Sequence, residues 1–403
     1  MGHGEAFDWD SPSQVFGEWA AQTRFENTDR LLNLGPLADI SPGSYSRLQP
    51  VQWPVTTTGG TPRLFEQGIF QTGDGRANMV AVKATGPAQA TTPDYPLALN
   101  TGRVRDHWHT LTRTGLAPEL GRHIPEPYVE VHPSDLPPGG LVDGQLTEIS
   151  TAQGTAVAVA RLSDRQRPGS IFMPMHWSCA YAPSGQANPL TSSAVDARSG
   201  QPEFKHTPAC IRPYGETWRG FLISREARPS PEGADIIWRR IPQEACQLHE
   251  FAGRGGSDQR IEVHAGLTHD ASGERLGFED DTGGILREAY VDNGRLDQVL
   301  FMTTGERLPP REWLIQLFQT PSLSPSQRAA LLIGREPGVT VPTGPVVCSC
   351  RSVRATSIAE AILSGARTLA EVGDTTGAGV TCGSCRPEIS RMLARRLEPH
   401  DAE

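Results

Sequence analysis

Short apolar runs separated by Gly and Pro dominate the middle of the chain. Tyr95 to Asn100 (YPLALN), Tyr128 to His132 (YVEVH), Gly154 to Leu162 (GTAVAVARL) and Ser170 to Met175 (SIFMPM) each read as a strand, with polar loops between them. The first of these runs straight into a polar, Gly-containing turn. Thr217 to Met302 predicts a second β-rich stretch. Its clearest element is a hairpin, Ile285 to Val291 and Arg295 to Met302 around Asp292-Asn293-Gly294. Between Gly59 and Ala90, turn signals separate short β-like runs such as Asn78 to Val82. Helical spacing is kept to the two ends. Val15, Phe16, Trp19 and Ala20 predict a helix over Pro12 to Thr23, capped by Ser11. Pro309 to Leu332 turns helical, with Trp313, Leu314, Leu317 and Phe318 on one face. A Gly/Pro linker from Gly338 to Pro345 follows. Helices are then expected from Ser357, as N-cap, to Gly365, from Thr368 to Gly373, and after Pro387, where Ile389, Met392, Leu393 and Leu397 recur at helical spacing.

Composition narrows the class. With 42 Gly and 34 Pro in 403 residues, the chain favours loop-rich β architecture over a helical bundle. The length suits two or three domains. A net charge of -9 argues against nucleic acid or an anionic membrane as a partner. No apolar run approaches the ~20 residues that span a bilayer. The opening Met1 to Glu5 lacks the pattern of a secretory signal. The expectation is a soluble cytoplasmic protein.

Cysteine placement brings in chemistry. Cys179, Cys210 and Cys246 are scattered, whereas Cys348, Cys350, Cys382 and Cys385 form C-x-C and C-x-x-C pairs. Gly383-Ser384 places the second pair in a turn at the start of a helix, where free N–H groups and the dipole favour thiolates. Four thiolates suit zinc or an iron–sulfur cluster. A single residue between Cys348 and Cys350 is tight for structural zinc.

A second motif follows the first of the predicted strands. Asn100 to Gly115 reads NTGRVRDHWHTLTRTG. Arg103, Arg105 and Arg113 stand among Thr hydroxyls, and Gly102 permits close backbone approach, a combination that fits a phosphate-bearing ligand. His107, Trp108 and His109 offer planar surfaces for a heteroaromatic ring. A solvated basic turn is the plain alternative.

Two resemblances sharpen both motifs. VVCSC with AGVTCGSCRPE resembles the bacterioferritin-associated ferredoxin-like module, implying a [2Fe–2S] cluster on Cys348, Cys350, Cys382 and Cys385. LNTGRVRDHWHTLTRTG resembles the pterin-guanine-dinucleotide motif of molybdopterin oxidoreductases, in their assimilatory nitrate reductase branch. Asn188-Pro189-Leu190-Thr191 and Ser199 to Lys205 (SGQPEFK) agree with it. The resemblance implies cofactor contacts from Thr101, Gly102, Arg103, Val104, Arg105, Asp106, His107, Trp108, His109, Thr110, Asn188 and Lys205. It sets Met175, His176 and Trp177 where periplasmic relatives place an aromatic residue facing the substrate funnel.

The implied architecture is mainly β with α. Residues 1–90 would be the tail of a preceding catalytic region and connector. Residues 91–215 would form a molybdopterin-dinucleotide-binding β-barrel of the aspartate-decarboxylase-like, double-psi type. Residues 216–345 would be a smaller β-rich extension with a helical linker, and 346–403 a small helical [2Fe–2S] module. The implied function is the C-terminal part of a molybdenum enzyme reducing nitrate to nitrite with molybdopterin guanine dinucleotide (Mo-bis-MGD). Its electrons would come from a ferredoxin, flavodoxin or NADH-dependent reductase subunit. Family members also carry an N-terminal [4Fe–4S] cysteine motif and a Cys ligand to molybdenum. This sequence has neither, so no catalytic residue is expected in the chain, and inactivity is expected of it alone. A formate dehydrogenase relative, a non-catalytic electron-transfer or cofactor-binding module, and a zinc-stabilised binding protein are the alternatives.

The remaining polar features read blandly. Cys179, Cys210 and Cys246 are expected as semi-buried thiols, and His249, His264 and His269 as surface or hydrogen-bonded residues. Gly253-Arg254-Gly255-Gly256 is expected as a flexible turn that follows no strand and opens no helix. Glu279, Asp280 and Asp281 are expected in a solvated loop.

Overall fold

Six strands close into a barrel: β3 (Leu97–Gly102), β4 (Tyr128–Val131), β5 (Leu146–Thr151), β6 (Thr155–Leu162), β7 (Ser170–Pro174) and β8 (Thr207–Pro213), in the order β3-β7-β4-β6-β5-β8. In the computed structural model that shows it, residues 2–27, 30–228, 230–231, 233, 235–268, 273–305, 308–336, 338 and 344–397 are described. The chain divides into two units, residues 1–85 and 86–403, and the barrel belongs to the second.

Alternation along the strands fills the barrel. Leu97, Leu99, Val129, Val131, Ile149, Ile171 and Met173 meet inside it, with Ala158, Ala160 and Ala209 keeping the narrow interior from overfilling. β3 pairs with β7 in parallel, Thr101 opposite Met173 and Gly102 opposite Pro174. Parallel partners end at the same rim, so the loops after β3 and β7 leave the barrel side by side. The first carries the Arg103 to Gly115 motif, with α3 (Pro118–Gly121) further along it. β5 and β8 were not among the expected strands. β8 holds Pro208 and Pro213, and β5 buries Glu148, held by Arg212 and Arg254.

The extension is one antiparallel sheet of β9 (Trp218–Ser224), β10 (Ile236–Pro242), β11 (Gln247–Gly253), β12 (Glu274–Asp280), β13 (Ile285–Asp292) and β14 (Arg295–Thr303), ordered β10-β11-β9-β14-β13-β12. The predicted hairpin is β13–β14. Asn293 (φ 48°) and Gly294 (φ 81°) adopt the left-handed pair that a two-residue turn of this hand requires. One face packs Phe221, Val299 and Phe301 against Trp313, Leu314 and Phe318, brought by α5 (Glu312–Leu317) with α6 (Pro325–Ala330) behind it. The other packs Leu222 and Leu300 against Val263 and Leu267 of α4 (Ser257–Thr268).

The Gly253 to Gly256 turn corrects its expectation, because it leaves strand β11 and opens α4. It is nonetheless filled from within. Gln259 Oε1 accepts the Gly255 N–H at 2.9 Å and the Trp218 indole N–H at 3.1 Å. Arg254 turns away to Glu148 and Tyr214. His249 is also corrected: it is 1% exposed, and burial pulls its pKa down to about 4. His264 pairs with Glu288, and His269 lies outside the described residues. Of the thiols expected to be semi-buried, Cys210 is half-buried, Cys179 is exposed and Cys246 is buried. Asp280 ends β12 and accepts the Thr282 and Gly283 N–H groups.

The C-terminal module has a two-stranded ribbon, β15 (Val346–Cys348) and β16 (Val353–Arg354), and three helices, α7 (Ala355–Leu363), α8 (Leu369–Thr376) and α9 (Arg386–Leu397). Val347, Ile358, Ile362, Val372, Ile389 and Leu393 form its core. Thr368 and Glu371 build a capping box for α8. α7 begins before Ser357, with Arg354 at the N-cap.

In the first unit, α1 (Pro12–Arg24) occupies the predicted span, followed by α2 (Pro42–Tyr45), β1 (Val55–Thr56) and β2 (Gly59–Gly60). Its buried stripe differs from the expected one: Ser13, Gly17 and Ala20 face inward, while Val15 and Trp19 are exposed. Gly17 allows this, since a Cβ there would lie 2.4 Å from the Ala38 carbonyl oxygen. Asn78 to Val82 forms no strand, and Met79 is 90% exposed. Among the described residues no helix is long and apolar enough to cross a membrane.

Candidate cofactor and cluster site

The four clustered cysteines converge although 31 residues separate the pairs. Cys350 Sγ lies 3.8 Å from Cys348 Sγ and 3.7 Å from Cys382 Sγ, and Cys385 reaches Cys348. β15 delivers the first pair, and the turn into α9 delivers the second. Gly383, at φ 74°, makes that turn where a side chain would strain it. Among the described residues no three His, Cys, Asp or Glu side chains are arranged to hold a metal ion.

The donors around the thiols suit thiolates. Ser384 bonds Cys382 through its hydroxyl, at 3.3 Å, and through its backbone N–H, which lowers that thiol's pKa. Cys350 receives a backbone hydrogen bond at Cys382, although burial raises its pKa overall. Burial likewise raises Cys385, with the Arg105 charge acting against it. Four close sulfurs with N–H and O–H groups directed at them fit an iron–sulfur cluster.

The Thr101 to Thr110 segment divides by role. Thr101 is buried, giving its hydroxyl to Phe204 O at 2.9 Å, and the Lys205 ammonium donates to Thr101 O. Gly102 is tight, since a Cβ there would sit 2.9 Å from Phe172 Cε2 and 3.7 Å from Lys205 Nζ. The Val104 N–H donates to His176 Nε2, and His107 holds Ile124 O at 2.6 Å through Nε2. Arg103, Trp108 and Thr110 are exposed at the rim, His109 is half-buried, and Arg113 lies 5.3 Å over the Trp108 ring. A narrow glycine floor beside a lysine, with an exposed indole and guanidinium groups, fits a phosphate-linked heteroaromatic ligand. Asn188 is exposed at the start of a short 3-10 turn, near where Ser192 N–H reaches Thr207 Oγ1 at the foot of β8. Met175, His176 and Trp177 do not form an open aromatic face, because His176 is 0% exposed and Trp177 packs with Leu111, Ile124 and Tyr128.

Arg105 and Asp106 leave the rim for the cysteine module. Arg105 Nη2 donates to Val347 O at 2.8 Å and faces Glu388 at 3.2 Å. Ser349 Oγ, between Cys348 and Cys350, meets Asp106 Oδ2 at 3.4 Å. His123 stands between Asp106, at 3.7 Å, and Glu388, at 3.5 Å, and Arg122 donates to Ser352 Oγ. The loop after β3 thus grips both the C-x-C turn and the first turn of α9. Sequence reading gave no role to His123, Ser349 and Glu388, although Ser349 and Glu388 lie within the quoted cysteine motifs. A cavity of about 1120 Å³ opens between the barrel, the extension and the module, lined in part by Tyr181, Arg239 and Glu250. It touches this joint at Arg122, His123 and Ser352 and is not lined by the thiols.

Comparison with known proteins agrees with this division. Residues 97–208 match the Molydopterin dinucleotide binding domain, and residues 346–395 match the BFD-like [2Fe-2S] binding domain. Over 402 residues, 98% of this chain and 45% of the relative, the sequence is 37% identical to a nitrate reductase of Klebsiella oxytoca. It is 30% identical to the assimilatory nitrate reductase catalytic subunit of Bacillus subtilis, over 51% of this chain and 28% of that protein. It is 31% identical to the F420-dependent formate dehydrogenase 1 subunit alpha of Methanococcus maripaludis, over 51% and 28%. The chain therefore spans less than half the length of the curated relatives it matches.

Proposed function

We propose that this chain, which carries a molybdopterin dinucleotide-binding barrel and a BFD-like [2Fe–2S] module, is the C-terminal part of a cytoplasmic, molybdenum-dependent assimilatory nitrate reductase. The observation that carries the reading is the joint at Arg105, where the loop after β3 holds the backbone beside Cys348. Relatedness to a nitrate reductase across 98% of the chain supports the substrate.

In this reading Gly102, Arg103, Trp108, His109, Thr110, Asn188 and Lys205 face the guanine dinucleotide of the pterin cofactor. Thr101, Val104 and His107 fix the loop's shape from behind, and Arg105 and Asp106 hold the cluster module to it. Cys348, Cys350, Cys382 and Cys385 ligate a [2Fe–2S] cluster. When bound, the molybdenum cofactor supplies two-electron oxygen-atom chemistry, whereas a [2Fe–2S] centre carries one electron at a time. The barrel binds and orients, and Trp177, Leu111 and Tyr128 exclude water behind the loop. The external donor would be a ferredoxin, a flavodoxin or an NADH-linked reductase, meeting the module where Cys382 is exposed.

The test supplies what the chain lacks. The chain is joined to the remaining length of a homologous nitrate reductase, loaded with cofactor and iron–sulfur clusters, and given reduced viologen with nitrate. Nitrite formation supports the reading. Formate oxidation without nitrate reduction, or no turnover by an otherwise fully loaded protein, overturns it.

A further inference from the structure

The joint at Arg105 has an electrostatic consequence for the cluster. A [2Fe–2S] centre with four thiolates is an anion that gains a further negative charge on one-electron reduction, so nearby cations favour the reduced form. Arg105 comes from the barrel, 242 residues before Val347, whose carbonyl it holds at 2.8 Å next to Cys348. Its Nη1 is buried without a hydrogen-bond partner, and two carboxylates face the group at ion-pair distance, Asp106 at 3.4 Å and Glu388 at 3.2 Å. Asp106 brings the opposite charge to the same turn, its Oδ2 lying 3.4 Å from Ser349 Oγ between Cys348 and Cys350. The module has guanidiniums of its own beside the thiols, Arg351 on Thr381 Oγ1 and Arg386 on Gly379 O, which keep their charge whether or not the module is docked.

We propose that Arg105, delivered by the dinucleotide loop, is a cation that raises the reduction potential of the [2Fe–2S] cluster, so that the cluster reaches its working potential only while its module is docked on that loop. The inference rests on the reading that the four thiols hold such a cluster. Arg105 is a positioning and tuning residue, and it takes no part in bond making. Docking and potential are linked, since whatever steadies the loop also steadies the charge beside the cluster.

The test is a redox titration of the full chain, reconstituted with iron and sulfide, with the reduced cluster read by electron paramagnetic resonance. Arg105→Gln should leave the cluster about tenfold less reduced at the wild-type midpoint, a 59 mV fall for a one-electron couple. Arg105→Lys, which keeps the charge, should stay within about threefold. Asp106→Asn should move the midpoint upward, and Asn is tolerated at its φ of 69°. A wild-type midpoint in Arg105→Gln overturns the inference. So does an unmoved or lowered midpoint in Asp106→Asn, which decides the matter even if Arg105→Gln takes up no cluster. Failure of the wild-type chain to form any cluster would instead refute the cluster reading itself.

Discussion

Val104 donates its backbone N–H to Nε2 of His176 at 3.0 Å, and Nδ1 of the same ring meets Trp108 O at 3.0 Å. An acceptor at one nitrogen and a donor at the other require the neutral ring with its proton on Nδ1. One histidine from the loop after β7 therefore fixes both ends of the Val104 to Trp108 segment, which the parallel β3–β7 pairing brings beside it.

Acid should loosen the fold through this residue. Burial, with neighbouring His107, His109 and Arg103, pulls the His176 pKa down to about 4, and His249 is also lowered to about 4. The unfolded chain protonates both near 6.5. The stability due to the neutral rings is thus present above about 6.5 and lost as pH falls from there toward 4. Urea midpoints should be flat above that window and drop within it. His249→Gln should remove about half of the slope, and an unchanged slope would contradict the assignment.

Gly102→Ala should weaken dinucleotide binding without unfolding the barrel. The new methyl would meet the tip of the Phe172 ring at 2.9 Å and crowd Lys205 Nζ at 3.7 Å. Overpacking of this kind costs about 1–3 kcal/mol. Isothermal titration with the guanine dinucleotide cofactor should show at least about a tenfold loss, while circular dichroism stays that of the wild type.

Arg239→Ala should destabilise strongly. Arg239 sits between Glu126 and Glu250, donating through Nε to Glu250 at 2.7 Å, and Arg311 takes the other Glu250 oxygen at 2.7 Å. Removing the shared cation strands largely buried carboxylates, at a cost of about 3–5 kcal/mol. Urea unfolding at pH 7 measures it. Because Glu250 is buried, yet held down to about 2 by Arg239 and Arg311, part of the difference should vanish as pH falls from about 4.5 toward 2.

Much of this was legible from residue order because local and tertiary demands coincide there. Asn293-Gly294 suits only a tight turn, and the continuous apolar run from Ala156 to Ala160 suits a strand buried on both faces. What escaped was decided by distant partners. β8 looks unlike a strand because Pro208 and Pro213 lie in it, and β5 looks polar because Glu148 is buried only with Arg212 and Arg254 from elsewhere. Asn78 to Val82 has strand-like residues but no partner strand among the described residues. The motif around Arg105 was visible as a basic loop. Its division into rim-facing and module-facing side chains was not, because Val347 and Glu388 lie more than 240 residues away.

The most direct test of the account is iron and acid-labile sulfide per chain after anaerobic reconstitution. About two of each are predicted for a [2Fe–2S] centre, with a visible chromophore bleached by dithionite, and Cys348→Ser or Cys382→Ser should abolish both. Zinc bound without sulfide, or a full complement of iron and sulfide in either serine variant, would contradict it.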